Sequence, residues 1–261
     1  MSSILTNTGA MVALQTMRST NQNMAKTQSQ ISTGMAVATA KDNSSSWAIA
    51  STMRTDVAMF DTLSKSLTAN SAMVGVARDA SERIVGVLRD MQERMVMLEN
   101  PDADEDKIND ELASMRELIT TIANSAQFNG INLIGDSGAN QDITISIIRD
   151  DAGALTTDVL TVAAEDLSDL DTGDLDEIEA ALQTAIDTAA AFGTDQNRID
   201  AQRDFLRSQS DALKIGIGAL VDADMEEASA RLQALQVQQQ LGIQALSIAN
   251  QQPQNILSLF R

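Results

Sequence analysis

From Ile49 an apolar residue returns at alternating steps of four and three: Ile49, Met53, Asp56, Phe60, Leu63, Leu67, Asn70, Val74, Ala77, Ser81, Ile84, Leu88, Met91, Met95, Leu98. Asp56, Asn70 and Ser81 interrupt the stripe without shifting its phase. A sustained 3-4 alternation is the seam of a coiled coil or helical bundle. Asp42 and the run Ser44-Ser45-Ser46 supply the expected N-caps. Asn100-Pro101 should end the helix, because a residue before proline avoids the α region. At ~1.5 Å per residue, 44–99 would span roughly 85 Å, far longer than an ordinary globular helix.

The rest of the chain reads as further helices around one β element. Asp102-Ala103-Asp104 offers a new cap and an acidic first turn, and Ile108, Leu112, Met115, Ile119, Ile122 and Ala126 repeat the stripe. The short connection at 100–103 predicts an antiparallel helix pair. Gln127-Phe128-Asn129-Gly130 reads as a helix stop, with Gly130 as a left-handed cap. Ile143-Thr144-Ile145-Ser146-Ile147 and Val159-Leu160-Thr161-Val162 alternate with period two on either side of a turn at 150–153, so a β-hairpin is expected near 142–163. Leu175, Ile178, Leu182, Ala185, Ile186 and Ala189 predict a short helix that Gly193 breaks. Ile199, Leu206, Leu213, Ile217 and Leu220 predict another, in which Gly216 and Gly218 either admit a close neighbour or weaken the helix. Asp222 and Asp224 restart a last helix. The expected fold is mainly α, a long antiparallel helical rod or coiled coil with a small β-hairpin at its far end.

Composition removes most chemistry. The chain has no His and no Cys, so imidazole bases, thiolate nucleophiles, His/Cys zinc sites and disulfides are all excluded. No glycine-rich phosphate loop appears, and the Ser and Asp residues lack a His or an evident Lys partner, so an enzyme is not expected and neither is a cofactor. Asp166, Asp169, Asp171 and Asp174 miss the spacing and the glycine of a calcium loop and read as a solvated face, so no metal site is expected. A formal charge of −19 disfavours nucleic acid and anionic membrane surfaces as partners. No apolar run is long enough to span a bilayer. The start, Met1-Ser2-Ser3-Ile4-Leu5-Thr6-Asn7, lacks a basic n-region and an apolar h-region, so no cleavable secretory signal is expected.

That charge is unevenly placed. Residues 1–40 and 228–261 contain no Asp or Glu and together carry +4, while the remainder carries −23. Both ends are nevertheless patterned. Ala10, Met17, Met24 and Ile31 recur every seven residues, with Leu14, Asn21, Gln28 and Met35 as companions. Toward the other end, Leu232, Leu235, Leu241, Ile243, Leu246 and Ile248 form a broad apolar face, and Ile256, Leu257, Leu259 and Phe260 follow. These are amphipathic helices with few charges behind them. Such segments are marginal alone and are buried when copies stack. A heterologous contact that does not close generates a helical polymer. The expected polymer interface is Leu5, Met11, Leu14, Met17, Met24, Ile31, Met35, Leu232, Leu235, Leu241, Ile243, Leu246, Ile248, Ile256, Leu257 and Phe260. The expected organisation is 1–43 with 223–261 as terminal coiled-coil segments and 44–222 as a helical rod, with too few residues between Gly130 and the Leu175 helix for a large outer domain.

Five stretches in order then resemble bacterial flagellins: Ile31-Ser32-Thr33-Gly34; Ala40-Lys41-Asp42 with Ala48-Ile49-Ala50; Gln127-Phe128-Asn129-Gly130; Gly193-Thr194-Asp195-Gln196-Asn197-Arg198; and Leu246 through Arg261, ending Ile256-Leu257-Ser258-Leu259-Phe260-Arg261. The resemblance implies a homopolymeric subunit of the extracellular flagellar filament, with terminal helices that order on assembly into an inner tube and an adjacent rod that forms an outer one. It implies unfolded passage through the flagellar type III export channel, an export chaperone on the C-terminal helices, and contact with hook-associated junction and cap proteins. Two alternatives remain at this point: a hook–filament junction protein with similar ends, and a signalling coiled coil. Against the second stand the missing membrane span, the uncharged ends and the β-hairpin.

Overall fold

The computed structural model describes residues 7–98, 104–150 and 153–259, the last eight of these by their backbone alone. Its elements are α1 (Thr8–Thr33), α2 (Ser44–Leu98), α3 (Glu105–Ser125), β1 (Gln127–Phe128), β2 (Ile131–Asn132), β3 (Gln141–Arg149), β4 (Leu155–Val162), α4 (Leu175–Val221) and α5 (Met225–Leu259). The fold is mainly α with one substantial β-hairpin, as the periodicity requires. The chain divides into two compact units, Met1–Thr55 with Ala212–Arg261, and Asp56–Asp211.

In the second unit the α2 stripe becomes a core. Phe60, Leu63, Leu67, Val74, Ala77, Ser81, Ile84, Leu88 and Met91 are all buried in the order the sequence spaces them. The partner seam is α4, through Ile178, Ala185, Phe192, Ile199 and Leu206. Cross-seam bonds fix an antiparallel register. Gln92 Nε2 donates to Glu179 Oε2 at 2.7 Å, Arg78 Nη1 to Gln196 Oε1 at 2.6 Å, Ser71 Oγ to Asp200 Oδ1 at 3.1 Å and Ser210 Oγ to Asp61 Oδ1 at 3.3 Å. Numbers rise along α2 as they fall along α4.

Several local expectations are corrected. Asn43, not Asp42 or the serines, caps α2, its Oδ1 accepting from the Ser45 and Ser46 amides. Asp42 instead closes the preceding turn on Thr39. At the start of the stripe Ile49 faces solvent and Ala50 is buried. Gly193 does not break a helix, since α4 runs through it for 47 residues. A helical glycine costs about 1 kcal/mol relative to alanine. Burying the adjacent Phe192 contributes about 1.5–3 kcal/mol and outweighs it. Gln127-Phe128-Asn129-Gly130 follows the end of α3, but Gly130 is not its cap. Asn129 and Gly130 both have positive φ, the turn of a minimal hairpin pairing Gln127 with Asn132 and Phe128 with Ile131.

Asn132 ties that hairpin to α3. Its Nδ2 donates to the Ala123 carbonyl at 2.7 Å, and its Oδ1 accepts from the Ile134 and Gly135 amides. The Glu165 and Leu167 amides then donate to the Leu133 and Ile134 carbonyls, and all three leucine and isoleucine side chains are buried. The expected hairpin at 142–163 is β3 and β4, paired from Gln141↔Val162 to Arg149↔Leu155 with an irregularity between Thr144 and Ser146. Its outer end is fastened by one guanidinium: Arg149 Nη2 lies 2.6 Å from Asp56 Oδ1, and Nη1 donates to the Gly153 carbonyl. This accounts for Asp56 as a polar residue in an apolar stripe. In the acidic stretch, Asp166 accepts from Ser168, while Asp174 and Glu177 cap the start of α4 reciprocally. Asp104 caps α3 as expected, while Asn100-Pro101 and Asp102-Ala103 lie outside the described residues.

Candidate functional site

The two acid-free segments form α1 and most of α5, and in the first unit they pack against each other. Asn7 begins the pairing. Its Oδ1 accepts from the Ala10 amide at 3.0 Å, capping α1, and its Nδ2 donates to the Ala249 carbonyl at 2.7 Å. Gln239 Nε2 reaches Asn21 Oδ1 at 2.8 Å farther along. At the other end α1 stops at Gly34, whose amide donates to the Gln30 carbonyl. The chain then crosses the junction between α4 and α5. Ala36 and Val37 donate to the Val221 carbonyl, and Ala223 donates to that of Gly34. Met35 pairs with Asp222 in an isolated antiparallel bridge. Asp224 caps α5 through the Glu226 and Glu227 amides. A Cβ at Gly216 would stand 2.8 Å from Met53 Cε, the movable end of that side chain, and α4 continues through Gly216 and Gly218.

The contact rows differ from the expected ones. In α1 the inward residues are Ala10, Ala13, Met17, Thr20, Met24, Thr27 and Ile31, with Thr20 and Thr27 the most buried. In α5 they are Ala228, Leu232, Leu235, Gln239, Gly242, Leu246 and Ala249. The row Ala10–Met17–Met24–Ile31 lies on this seam within one chain. Its companion is Ala13, Thr20 and Thr27, while Leu14, Asn21 and Gln28 are exposed, Asn21 accepting from Gln239 at the rim. Small side chains share the inner rows with Met17, Met24, Ile31, Leu232, Leu235 and Leu246 and let two backbones come close, while Leu14, Leu241 and Ile243 stand at the rim.

This divides the sequence-predicted residues. Met17, Met24, Ile31, Leu232, Leu235 and Leu246 sit half-buried or buried on the α1–α5 seam. Met35 is half-buried at the bridge, with its sulfur 3.6 Å from Arg54 Nη2. Met11, Leu14, Leu241, Ile243 and Ile248 are exposed, Met11 at 65% and Ile248 at 68%, joined by Val12 and Val237, which the sequence reading passed over. Leu5 and Phe260 lie outside the described residues, as do the side chains of Ile256 and Leu257, whose backbone continues α5.

Beside the seam runs a groove of about 840 Å³ lined by Asn7, Ala10, Met11, Leu14, Gln15, Arg18, Leu246 and Asn250. Arg18 is its one charged wall residue among the described residues. Amides, aliphatic carbons and one guanidinium offer surface and hydrogen bonds for a partner; they offer neither a base nor a nucleophile. Among the described residues there is no cluster of three or more Asp or Glu placed to hold a metal ion, and no helix is long and apolar enough to cross a membrane.

Residues 4–141 match the bacterial flagellin N-terminal helical region and residues 175–260 match the bacterial flagellin C-terminal helical region. The chain is 37% identical to a flagellin of Brucella melitensis biotype 1, with both chains covered completely. It is 36% identical to flagellin FljK of Caulobacter vibrioides, covering all of this chain and 99% of that one. Among solved structures it overlaps Bacillus cereus flagellin at 21% identity and a TM-score of 0.47, over 54% of this chain and 88% of that one. With both helical regions matched and relatives aligned end to end, the chain belongs to the bacterial flagellin family and is a structural subunit of the flagellar filament.

Proposed function

We propose that neighbouring subunits in the filament meet through the outer face of the α1–α5 pair: Met11, Leu14, Leu241, Ile243 and Ile248, extended by Leu5, Ile256, Leu257 and Phe260. Met17, Met24, Ile31, Met35, Leu232, Leu235 and Leu246 hold the pair together beneath that face. The observation that carries this reading is the set of large apolar side chains left exposed on two helices whose contact face carries no acid. An unpartnered apolar surface of this kind is stabilised by burial at about 25 cal/mol per Å². The same reading assigns residues 1–43 and 223–261 to the inner core of the filament, ordering fully only there, and 44–222 to the layer around it. The chain is held at its C-terminal helices by a chaperone before export and meets junction and cap proteins at the filament ends. Its role is mechanical, with no catalytic step.

The test is assembly of purified chain followed by light scattering, sedimentation and electron microscopy. Leu241→Asp with Ile243→Asp should leave the thermal transition of the Asp56–Asp211 unit in place and abolish filaments. Kosmotropic salt should accelerate the wild type, both by strengthening apolar burial and by screening a subunit of charge −19. Normal filaments from the double variant would move the interface elsewhere.

A further inference from the structure

The chain has a single Asn followed by Gly, Asn129-Gly130, and the fold places it at the tip of the β1–β2 hairpin in the Asp56–Asp211 unit. Both residues are exposed, with φ of 52° and 82°, as a two-residue type I′ turn requires. Among the described residues the Gly130 amide donates to no carbonyl, and a Cβ added to Gly130 would meet nothing within 4 Å. A side-chain amide, an unbonded backbone nitrogen one residue on, and open water therefore coincide. Asn43, Asn70 and Asn124 each precede a serine but are held differently. Asn43 Oδ1 is engaged by the Ser45 and Ser46 amides. Asn70 and Asn124 lie inside α2 and α3, where the next amide belongs to the helix ladder.

We propose that Asn129 is a site of spontaneous covalent modification, paced by opening of the β1–β2 hairpin, that unseats this hairpin from the end of α3 as a subunit ages. Ring closure needs a rotation about the Asn129 Cα–C bond that the closed turn does not allow, so the hairpin opens first. Each strand is only two residues long, so the main restraint is Asn132, whose side chain binds the Ala123 carbonyl and the Ile134 and Gly135 amides. In the open turn the Gly130 nitrogen gives its proton to solvent and attacks Asn129 Cγ. The new N–Cγ bond closes a five-membered succinimide, the Cγ–Nδ2 bond breaks, and ammonia leaves carrying a proton. Water then adds to one of the two imide carbonyls. Cleavage at Cγ yields aspartate. Cleavage at the main-chain carbonyl yields isoaspartate, whose backbone runs through Cγ and is one methylene longer. Water is consumed, ammonia is released and nothing is oxidised. The longer backbone cannot keep both Gln127↔Asn132 and Phe128↔Ile131 across a two-residue turn. Asn132 then loses its register, and with it the seat of Leu133 and Ile134, which are buried and accept from the Glu165 and Leu167 amides.

The test follows full-length chain held for weeks in mildly alkaline buffer below its melting temperature. Peptide mass spectrometry reads the gain of about one dalton and the isoaspartyl isomer at each asparagine. Hydrogen exchange reads the amides of 123–135. Asn129 should convert about tenfold faster than Asn43, Asn70 or Asn124, and about tenfold faster again in denaturant, where no turn restrains it. Asn132→Ala should move the native rate at Asn129 toward the denatured one while Asn43 and Asn70 keep theirs. Protection at 123–135 should fall in step with isoaspartate. Asn129→Gly keeps the positive φ without the reacting amide, so its protection should stay constant with time. Equal rates at Asn129 and the three Asn-Ser sites overturn the site. Equal native and denatured rates at Asn129 overturn the pacing by the hairpin. Protection that falls equally in Asn129→Gly, or that persists in converted wild type, overturns the unseating.

Discussion

Two antiparallel helix pairs in this chain obey opposite packing rules. In the Asp56–Asp211 unit, α2 and α4 turn Phe60, Leu67, Ile84, Leu88, Phe192, Ile199 and Leu206 toward each other and bury them. In the other unit, α1 and α5 mix small inward residues, Ala10, Ala13, Thr20, Thr27, Gly242 and Ala249, with Met17, Met24, Ile31, Leu232, Leu235 and Leu246, and leave Met11, Val12, Leu241, Ile243 and Ile248 outside. Charge follows the same division, with 11 basic and 32 acidic residues in Asp56–Asp211 against 7 and 5 in the rest. The first pair satisfies its apolar demand within one molecule and keeps a charged surface. The second leaves part of its apolar area exposed, the surface that the proposed subunit interface would cover. A subunit that must be soluble alone and sticky in company can assign those demands to separate helix pairs.

The comparison can be tested by making the same cut in each pair. Leu67 is fully buried in the α2–α4 core, and Leu67→Ala should cost about 2–5 kcal/mol of monomer stability, read as a large loss in melting temperature. Leu246 is half-buried on the α1–α5 seam, and Leu246→Ala should cost under about 1 kcal/mol in the monomer. Equal costs would erase the distinction between the pairs. The smallest effect concerns a polar position within the α2–α4 seam. Burial raises the carboxyl of Asp195 above its ordinary range, with Arg198 pulling the other way. A folded-state value above the unfolded one means the native chain binds the proton more tightly. The charged form therefore penalises folding above that value, and the penalty fades as pH falls below the unfolded value of about 3.9. Asp195→Asn should then raise the melting temperature by about 1–2 °C at pH 7 and by nothing near pH 3, as followed by circular dichroism.

What could be read in advance depended on whether size or polarity decided a position. The α2 stripe was legible because fifteen evenly spaced residues were overwhelmingly apolar, and their burial follows the spacing from Phe60 to Met91. The α1 seam was half legible: apolarity favours Leu14 over Ala13, whereas close helix approach selects Ala13, Thr20 and Thr27 for their small size. Gly193 misled because its intrinsic cost is local and the packing of Phe192 and Ile199 is not. The Asn129-Gly130 turn carried a hairpin signal, yet its strands are two residues long and too short to show alternation. The bonds from Ser71 to Asp200 and from Arg149 to Asp56 join residues 129 and 93 positions apart, so no local pattern could announce them. The exposed face was visible in composition because acids are absent there, but which apolar residues lie outside required knowing which lie between the helices.

The cross-seam bonds also set an order of closure. Gln92 and Glu179 are 87 residues apart, Arg78 and Gln196 118, Ser71 and Asp200 129, and Asp61 and Ser210 149. Loop entropy grows with the span to be closed, so closure from the Gln92 end toward Asp61 is the entropically cheapest order, each fastened pair shortening the next search. This zipper cannot begin until both distant strips of chain are free.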